Sequence, residues 1–132
     1  MMRWTVRIVH WAIAAFYAYG ALVHVLNILG LTGFDWAEAP LKWQVLDIAY
    51  LALDVAVVAG LPAGLLFGYV ACFMAAASQI LLYTVFRQWV LDVPDSFARS
   101  PAEIAYLDYL VVFHIVTILA LCLAIWLKRR VG

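Results

Sequence analysis

The chain has 132 residues, of which 69% are hydrophobic and 12% charged, and its formal net charge is zero. Soluble domains are about 45–50% apolar, so this composition excludes a water-soluble fold and predicts an integral membrane protein. A spanning helix needs roughly 20 apolar residues, so the length allows about four spans. Residues 1–132 then form a single domain. No motif typical of nucleic-acid binding, phosphate loops or nucleophile triads is present in the sequence.

The first three predicted helices cover residues 8–29, 41–59 and 65–86. The glycine- and proline-rich segment 60–64 between the second and third is typical of a tight turn, so these two helices should be antiparallel neighbours. Segment 88–99 mixes aromatic with acidic residues, which predicts a stretch that rests in the membrane interface.

The fourth predicted helix covers residues 101–127 and has the clearest start signal in the chain. Ser100 is a typical N-cap, Pro101 suits the first helical position, and Glu103 completes a capping box. At 1.5 Å per residue this helix is roughly 40 Å long, which exceeds the hydrocarbon thickness. Its first turns should therefore project outward, with Asp108 near the outer interface.

The distribution of charge predicts the orientation of an up-down, all-α, four-helix transmembrane bundle. Every Asp and Glu lies between Asp35 and Asp108, whereas basic residues cluster at both chain ends. Basic flanks are typical of the cytoplasmic side, so both termini are predicted to be cytoplasmic, in a bacterial inner membrane. The terminal basic residues are Arg3, Arg7, Lys128, Arg129 and Arg130.

Each predicted helix carries one polar residue at a similar depth: His24, Asp47, Gln79 and His114. Counted from the proposed interfaces, all four lie about 7–11 Å beneath the outer surface. Polar side chains within a span are costly in lipid and are expected to face the bundle interior. They should therefore form one polar layer.

Helical periodicity extends this layer in both directions. Tyr17 and His24 are seven residues apart, as are Asp47 and Asp54, so each pair lies on one helix face. Asp54 and Tyr17 should continue the layer toward the midplane. Three further polar residues should line the way to the outer side: Asn27, Tyr83 and Arg87.

Two kinds of site fit this layer, a redox-cofactor site for haem or quinone and a metal site. His24 and His114 lie on the first and last helices and could together ligate a b-type haem. Alternatively, Tyr17, Gln79 and Tyr83 could line a quinone pocket, since aromatic residues make up 15% of the chain. A metal site built from His24, Asp47 and His114 would suit a borderline divalent cation.

A path for protons or ions is a third interpretation. A carboxylate near the membrane midplane, such as Asp54, could exchange a proton with solvent because burial disfavours its charged form. The remaining path residues would be Asp47, Asn27, Arg87 and Asp108.

The polar residues could equally specify packing without any ligand. In that case Asp47 would bond His24, Gln79 would bond His114, and Asp54 would bond Tyr17 or Thr117. A small subunit that shares its surface with larger partners would show the same pattern.

The segment Tyr19-Gly20-Ala21-Leu22-Val23-His24, within a chain of about four spans, resembles the DoxX-like group of small bacterial membrane proteins. Some members are linked to quinone-dependent redox complexes, although many have a lysine where this chain has His24. The resemblance implies a redox-associated role.

The leading hypothesis is therefore a small subunit of a redox or substrate-handling membrane complex, with haem, quinone or metal in its outer half. Its partners would be the lipid bilayer and either other membrane subunits or further copies of itself. A ligand-free assembly subunit and a small proton-coupled transporter are the alternatives.

Overall fold

A computed structural model describes residues 2–131 of the chain, with side chains for residues 4–130. The Arg3 side chain, part of the predicted basic flank, lies outside the described residues. The described helices are α1 (Met2–Ile28), α2 (Leu41–Gly60), α3 (Leu66–Tyr83), α4 (Arg87–Leu91) and α5 (Pro101–Val131). Within residues 2–131, four of them (α1, α2, α3 and α5) are long and apolar enough to cross a membrane. The prediction of an all-α protein with four apolar spans is therefore confirmed.

The third predicted helix was too long. It was expected to reach residue 86, but α3 ends at Tyr83 and the chain turns before α4 begins at Arg87. Thr84 and Val85 are β-branched and favour helices weakly. The Thr84 hydroxyl also donates a 2.6 Å hydrogen bond back to the Ile80 carbonyl. This break directs the following residues across the end of the bundle.

The four long helices form a closed ring around a common interior. α1 packs against α2 and α5, and α3 packs against the same two helices. One end of the ring, which we call the connection end, contains the links formed by residues 29–40 and 84–100. The other end, which we call the turn end, contains the link between α2 and α3 formed by residues 61–65. An apolar core fills the turn-end half of the ring; its members include Ile13, Val57, Leu61, Cys72 and Leu121.

Glycines allow α2 and α3 to approach very closely at the turn end. A Cβ atom on Gly68 would overlap the Gly60 carbonyl carbon and the Leu61 nitrogen. Gly64, in the turn itself, has a φ of +71°, which residues with side chains rarely adopt. Small residues at helix spacing are typical of tight helix contacts in membranes, and here they bring the two backbones together.

The predicted capping box at the start of α5 is confirmed. The Ser100 hydroxyl accepts from the Glu103 amide at 3.3 Å, and the Glu103 carboxylate accepts from the Ser100 amide at 2.8 Å. The same carboxylate pairs with Arg99 at 2.9 Å. This start places the first turns of α5 beside the connection end.

Candidate functional site

A cavity of about 350 Å³ lies between the four long helices in the connection-end half of the ring. The structure brings eight of the candidate residues together around it. They are Tyr17, His24, Asn27, Asp47, Asp54, Gln79, Tyr83 and His114. The polar layer predicted from one residue per helix is therefore a shared cavity lining.

Asp47 is the centre of the polar network on one wall. Its Oδ1 atom lies 2.7 Å from His24 Nδ1 and accepts from Asn27 Nδ2 at 3.0 Å, while Oδ2 accepts from Trp36 Nε1 at 3.0 Å. All three contacts are made to the carboxylate oxygens of Asp47, which accept hydrogen bonds. His24 then donates from Nδ1, and in the neutral imidazole its Nε2 atom is left as an acceptor.

His24 turns that second nitrogen toward Asp54. The distance from His24 Nε2 to Asp54 Oδ2 is 3.8 Å, which is too long for a hydrogen bond. Asp54 is 2% exposed. Its Oδ1 atom is buried without a hydrogen-bond partner in the described part of the chain. Asp54 also lies against Gly20, and a Cβ atom added to Gly20 would lie 2.7 Å from Asp54 Oδ2.

His114 belongs to a separate network on the opposite wall. Its Nε2 atom lies 2.8 Å from Gln79 Oε1 and its Nδ1 atom 3.3 Å from the Tyr17 hydroxyl. A hydrogen on Nε2 donates to Gln79, so Nδ1 accepts from Tyr17. Both imidazole nitrogens are thus engaged by side chains.

Two of the three predicted packing pairs are observed. Asp47 bonds His24, and Gln79 bonds His114. The third pairing, of Asp54 with Tyr17 or Thr117, was wrong. The Tyr17 hydroxyl bonds His114 and the Thr117 hydroxyl donates to the Phe113 carbonyl, as a threonine within a helix often does.

Arg87 and Asp108 were predicted to lie on a path into the cavity, but both lie outside the cavity lining. They pair with each other at 2.5 Å, and Arg87 also donates to the Ile104 carbonyl. This contact joins α4 to the exposed first turns of α5. Neither is among the described residues that line the cavity.

The ring of residues at the cavity mouth was missed from the sequence. The Arg99 guanidinium lies over the Trp43 ring at 4.4 Å and over the Phe34 ring at 5.6 Å. Trp43 is buried and donates from its indole to the Val90 carbonyl at 3.0 Å. These contacts are made between residues of different segments of the chain, so no periodic pattern within one segment could have revealed them.

The cofactor hypotheses fit this geometry unequally. Among the described residues, no group of three or more His, Cys, Asp or Glu side chains is placed to hold a metal ion. The three metal-ligand candidates divide between two networks, since His114 bonds Gln79 and not Asp47. Haem ligation by His114 would also require breaking one of its two hydrogen bonds. A pocket for an organic ring requires no such change.

Comparisons of the chain with protein-family models, curated proteins and solved structures found no match.

Proposed function

We propose that this protein is a membrane subunit that holds the ring of a quinone-class molecule in its cavity and exchanges a proton with it. The electrons of the redox reaction would pass to or from a redox centre in a partner subunit. The observation that carries the proposal is the His24–Asp47 pair, which presents a free imidazole nitrogen to an aromatic-lined cavity.

The lining of the cavity suits a flat, largely apolar ring. Small-molecule sites are typically concave and apolar, with a few placed polar groups, and occupy about 300–1,000 Å³. This cavity, at about 350 Å³, lies at the small end of that range. Its aromatic lining residues include Phe16, Tyr50, Tyr83 and Tyr106. Rings of this kind offer stacking and edge-to-face contacts to a ligand ring.

The paired carboxylate gives His24 the properties of a proton acceptor. Asp47 orients the imidazole and would stabilise the positive charge that appears when Nε2 takes a proton. The Tyr50 ring also packs against His24, with centroids 6.2 Å apart and planes inclined by 18°. The imidazole is therefore held on two sides before any ligand binds.

Apolar packing separates the cavity from the turn end. Val57 on α2, Leu61 just after α2, and Leu121 on α5 are fully buried in the core next to the cavity. A cavity that is closed by apolar packing at one end favours binding over conduction. This arrangement is why we place the transporter alternative behind a ligand-binding role.

We expect purified protein to bind a short-chain alkylbenzoquinone or its hydroquinone, and His24→Phe to weaken binding of the hydroquinone roughly tenfold by removing its hydrogen bond to His24. Phenylalanine keeps a ring against Tyr50 but removes both nitrogens. Isothermal titration calorimetry in detergent measures the affinity, and the absorbance of organic extracts measures bound native quinone.

His10→Phe is the matched control, because His10 is buried at the turn end and bonds Tyr69 at 3.2 Å. Its affinity for both rings should equal that of the wild type. If neither ring binds to folded wild-type protein, or if His24→Phe binds the hydroquinone as tightly as wild type does, the proposed function is wrong.

A second candidate is an assembly subunit without a ligand, and the two polar networks favour it. Asp47 joins α1 to α2 through His24, and Gln79 joins α3 to α5 through His114. These contacts would stabilise the bundle alone. Binding of neither ring, together with co-purification of a larger membrane protein in mild detergent, would support this candidate.

We further propose an up-down bundle with both termini in the cytoplasm of a bacterial cell and the cavity near the outer face. Basic residues Arg7, Lys128, Arg129 and Arg130 near the chain ends support it, since such residues favour the cytoplasmic side. We expect green fluorescent protein to fluoresce when fused after residue 130 and to stay dark when fused after Asp95. The reverse pattern would contradict the orientation.

A further inference from the structure

The deep end of the cavity presents hydrogen-bond acceptors that lack a donor. Asp54 Oδ1 has no hydrogen-bond partner among the described residues. His24 Nε2, the second acceptor, lies 3.8 Å from Asp54 Oδ2. A buried acceptor without a donor is unfavourable, so such a site favours a ligand that donates.

The neighbouring hydroxyl groups do not supply this donor, because their protons are used elsewhere. The Ser78 hydroxyl donates to the Ala75 carbonyl at 3.2 Å, so the Tyr50 hydroxyl donates to Ser78 at 2.7 Å. The Tyr17 hydroxyl donates to His114. Among these neighbours, each proton therefore points away from Asp54.

Gly20 lies against the Asp54 carboxylate and has no side chain to cover it. A Cβ atom at this position would lie 2.7 Å from Asp54 Oδ2, so any other residue would push the carboxylate aside. Gly20, His24 and Asp54 all line the cavity. Because Gly20 has no side chain, α1 leaves space beside the Asp54 carboxylate.

We infer that Asp54 and His24 form a donor-recognition site for a ligand hydroxyl group, so that the cavity prefers a hydroquinone or phenol to the corresponding quinone. The hydroxyl donates to the Asp54 carboxyl group or to His24 Nε2, whereas a carbonyl in the same place would face two acceptors. This inference rests on the proposed ring-binding role of the cavity and specifies which form of the ring it holds. An ammonium group offers the same donor chemistry.

The preference can be measured with four probes of similar size under anaerobic conditions. They are a short-chain alkylhydroquinone, its quinone, its dimethyl ether and a phenylalkylammonium ion. We expect the hydroquinone to bind roughly tenfold more tightly than the quinone and the ether, since only the hydroquinone can donate to these acceptors. Calorimetry in detergent gives each Kd.

Asp54→Asn is the informative variant, because an amide can donate as well as accept. We expect it to bind the quinone at least as tightly as wild type does and to lose the preference for the hydroquinone. Asp92→Asn is the matched control, since Asp92 is exposed and lies outside the cavity lining. It should keep the wild-type preference.

The outcomes separate the two proposals. Equal binding of hydroquinone, quinone and ether would overturn the donor site while leaving the ring-binding role intact. A preference that survives in Asp54→Asn would also overturn it. If the ammonium ion binds more tightly than the hydroquinone and Asp54→Asn abolishes that binding, the donor site stands and its ligand is an amine. Binding of none of the probes would overturn the proposed function itself.

Discussion

Gly68→Ala is expected to destabilise the protein more than Gly20→Ala, where the added methyl group would meet a side chain and not backbone. The Cβ atom on residue 68 would overlap backbone atoms of Gly60 and Leu61, which cannot rotate away as a flexible side chain can. Overpacking typically costs about 1–3 kcal/mol and sometimes more, and we expect a loss of about 3 kcal/mol because α2 and α3 must move apart. Fluorescence-detected size-exclusion chromatography after heating measures the change in melting temperature.

Ala77→Val is the matched control for this variant. Ala77 lies on the same helix but is exposed on the outer surface of the ring, so two additional methyl groups meet lipid and not a backbone. Its melting temperature should stay within a few degrees of wild type. A Gly68→Ala protein as stable as Ala77→Val would show that the two helices do not approach as closely as described.

Asp47→Leu is expected to have the largest effect on the cavity. The substitution removes the acceptor of His24, Asn27 and Trp36 while keeping a side chain of similar volume. An unsatisfied buried donor costs about 1–3 kcal/mol, although hydrogen bonds within membranes average about 0.6 kcal/mol. We therefore expect a loss of about 2–5 kcal/mol in folding stability, since three donors lose their acceptor. Hydroquinone binding should also weaken roughly tenfold, as in His24→Phe, since His24 is no longer oriented.

A milder pair of variants isolates one of these contacts. Asp47→Asn can still accept from His24 and Asn27 through Oδ1, but it places an amide hydrogen against the Trp36 indole hydrogen. Trp36→Phe removes that indole hydrogen. The double variant should therefore lose less free energy of unfolding than the two single variants lose together. The difference should be about 0.5–3 kcal/mol, as for other contacting pairs.

Asp92→Asn again serves as the control, with no change expected in melting temperature or binding. Strict additivity of Asp47→Asn and Trp36→Phe would contradict the hydrogen bond between these two residues. An Asp47→Leu protein with wild-type stability would contradict the central position of Asp47 in the network.

The network around Asp47 also shows which parts of the site could be predicted. Helical spacing placed His24 and Asp47 at a similar depth, and depth along a helix follows directly from residue number. Trp36 could not be found in this way, because it lies in a short 3₁₀ turn between helices. The geometry of this turn, and not helical periodicity, places the Trp36 indole beside the Asp47 carboxylate. Arg99 at the mouth was missed for the same reason.

The prediction for Asp54 failed for a different reason. Its depth was predicted from the sequence, and the structure does place it in the cavity lining. Its hydrogen-bonding partner could not be predicted, because the side chain that meets Asp54 depends on how each helix is rotated about its own axis. A residue on α1 that lacks a side chain, Gly20, faces the carboxylate where a hydroxyl had been expected.

The sequence by itself determined that four apolar helices are present and that polar residues lie at one level within them. Hydropathy and helical rise are local properties, so each can be read without knowing what the segment packs against. Only the tertiary structure decided that Asp47 has three donors while Asp54 Oδ1 has none among the described residues. Those partners come from other segments of the chain, and the rotation and spacing of the helices determine which of them meet.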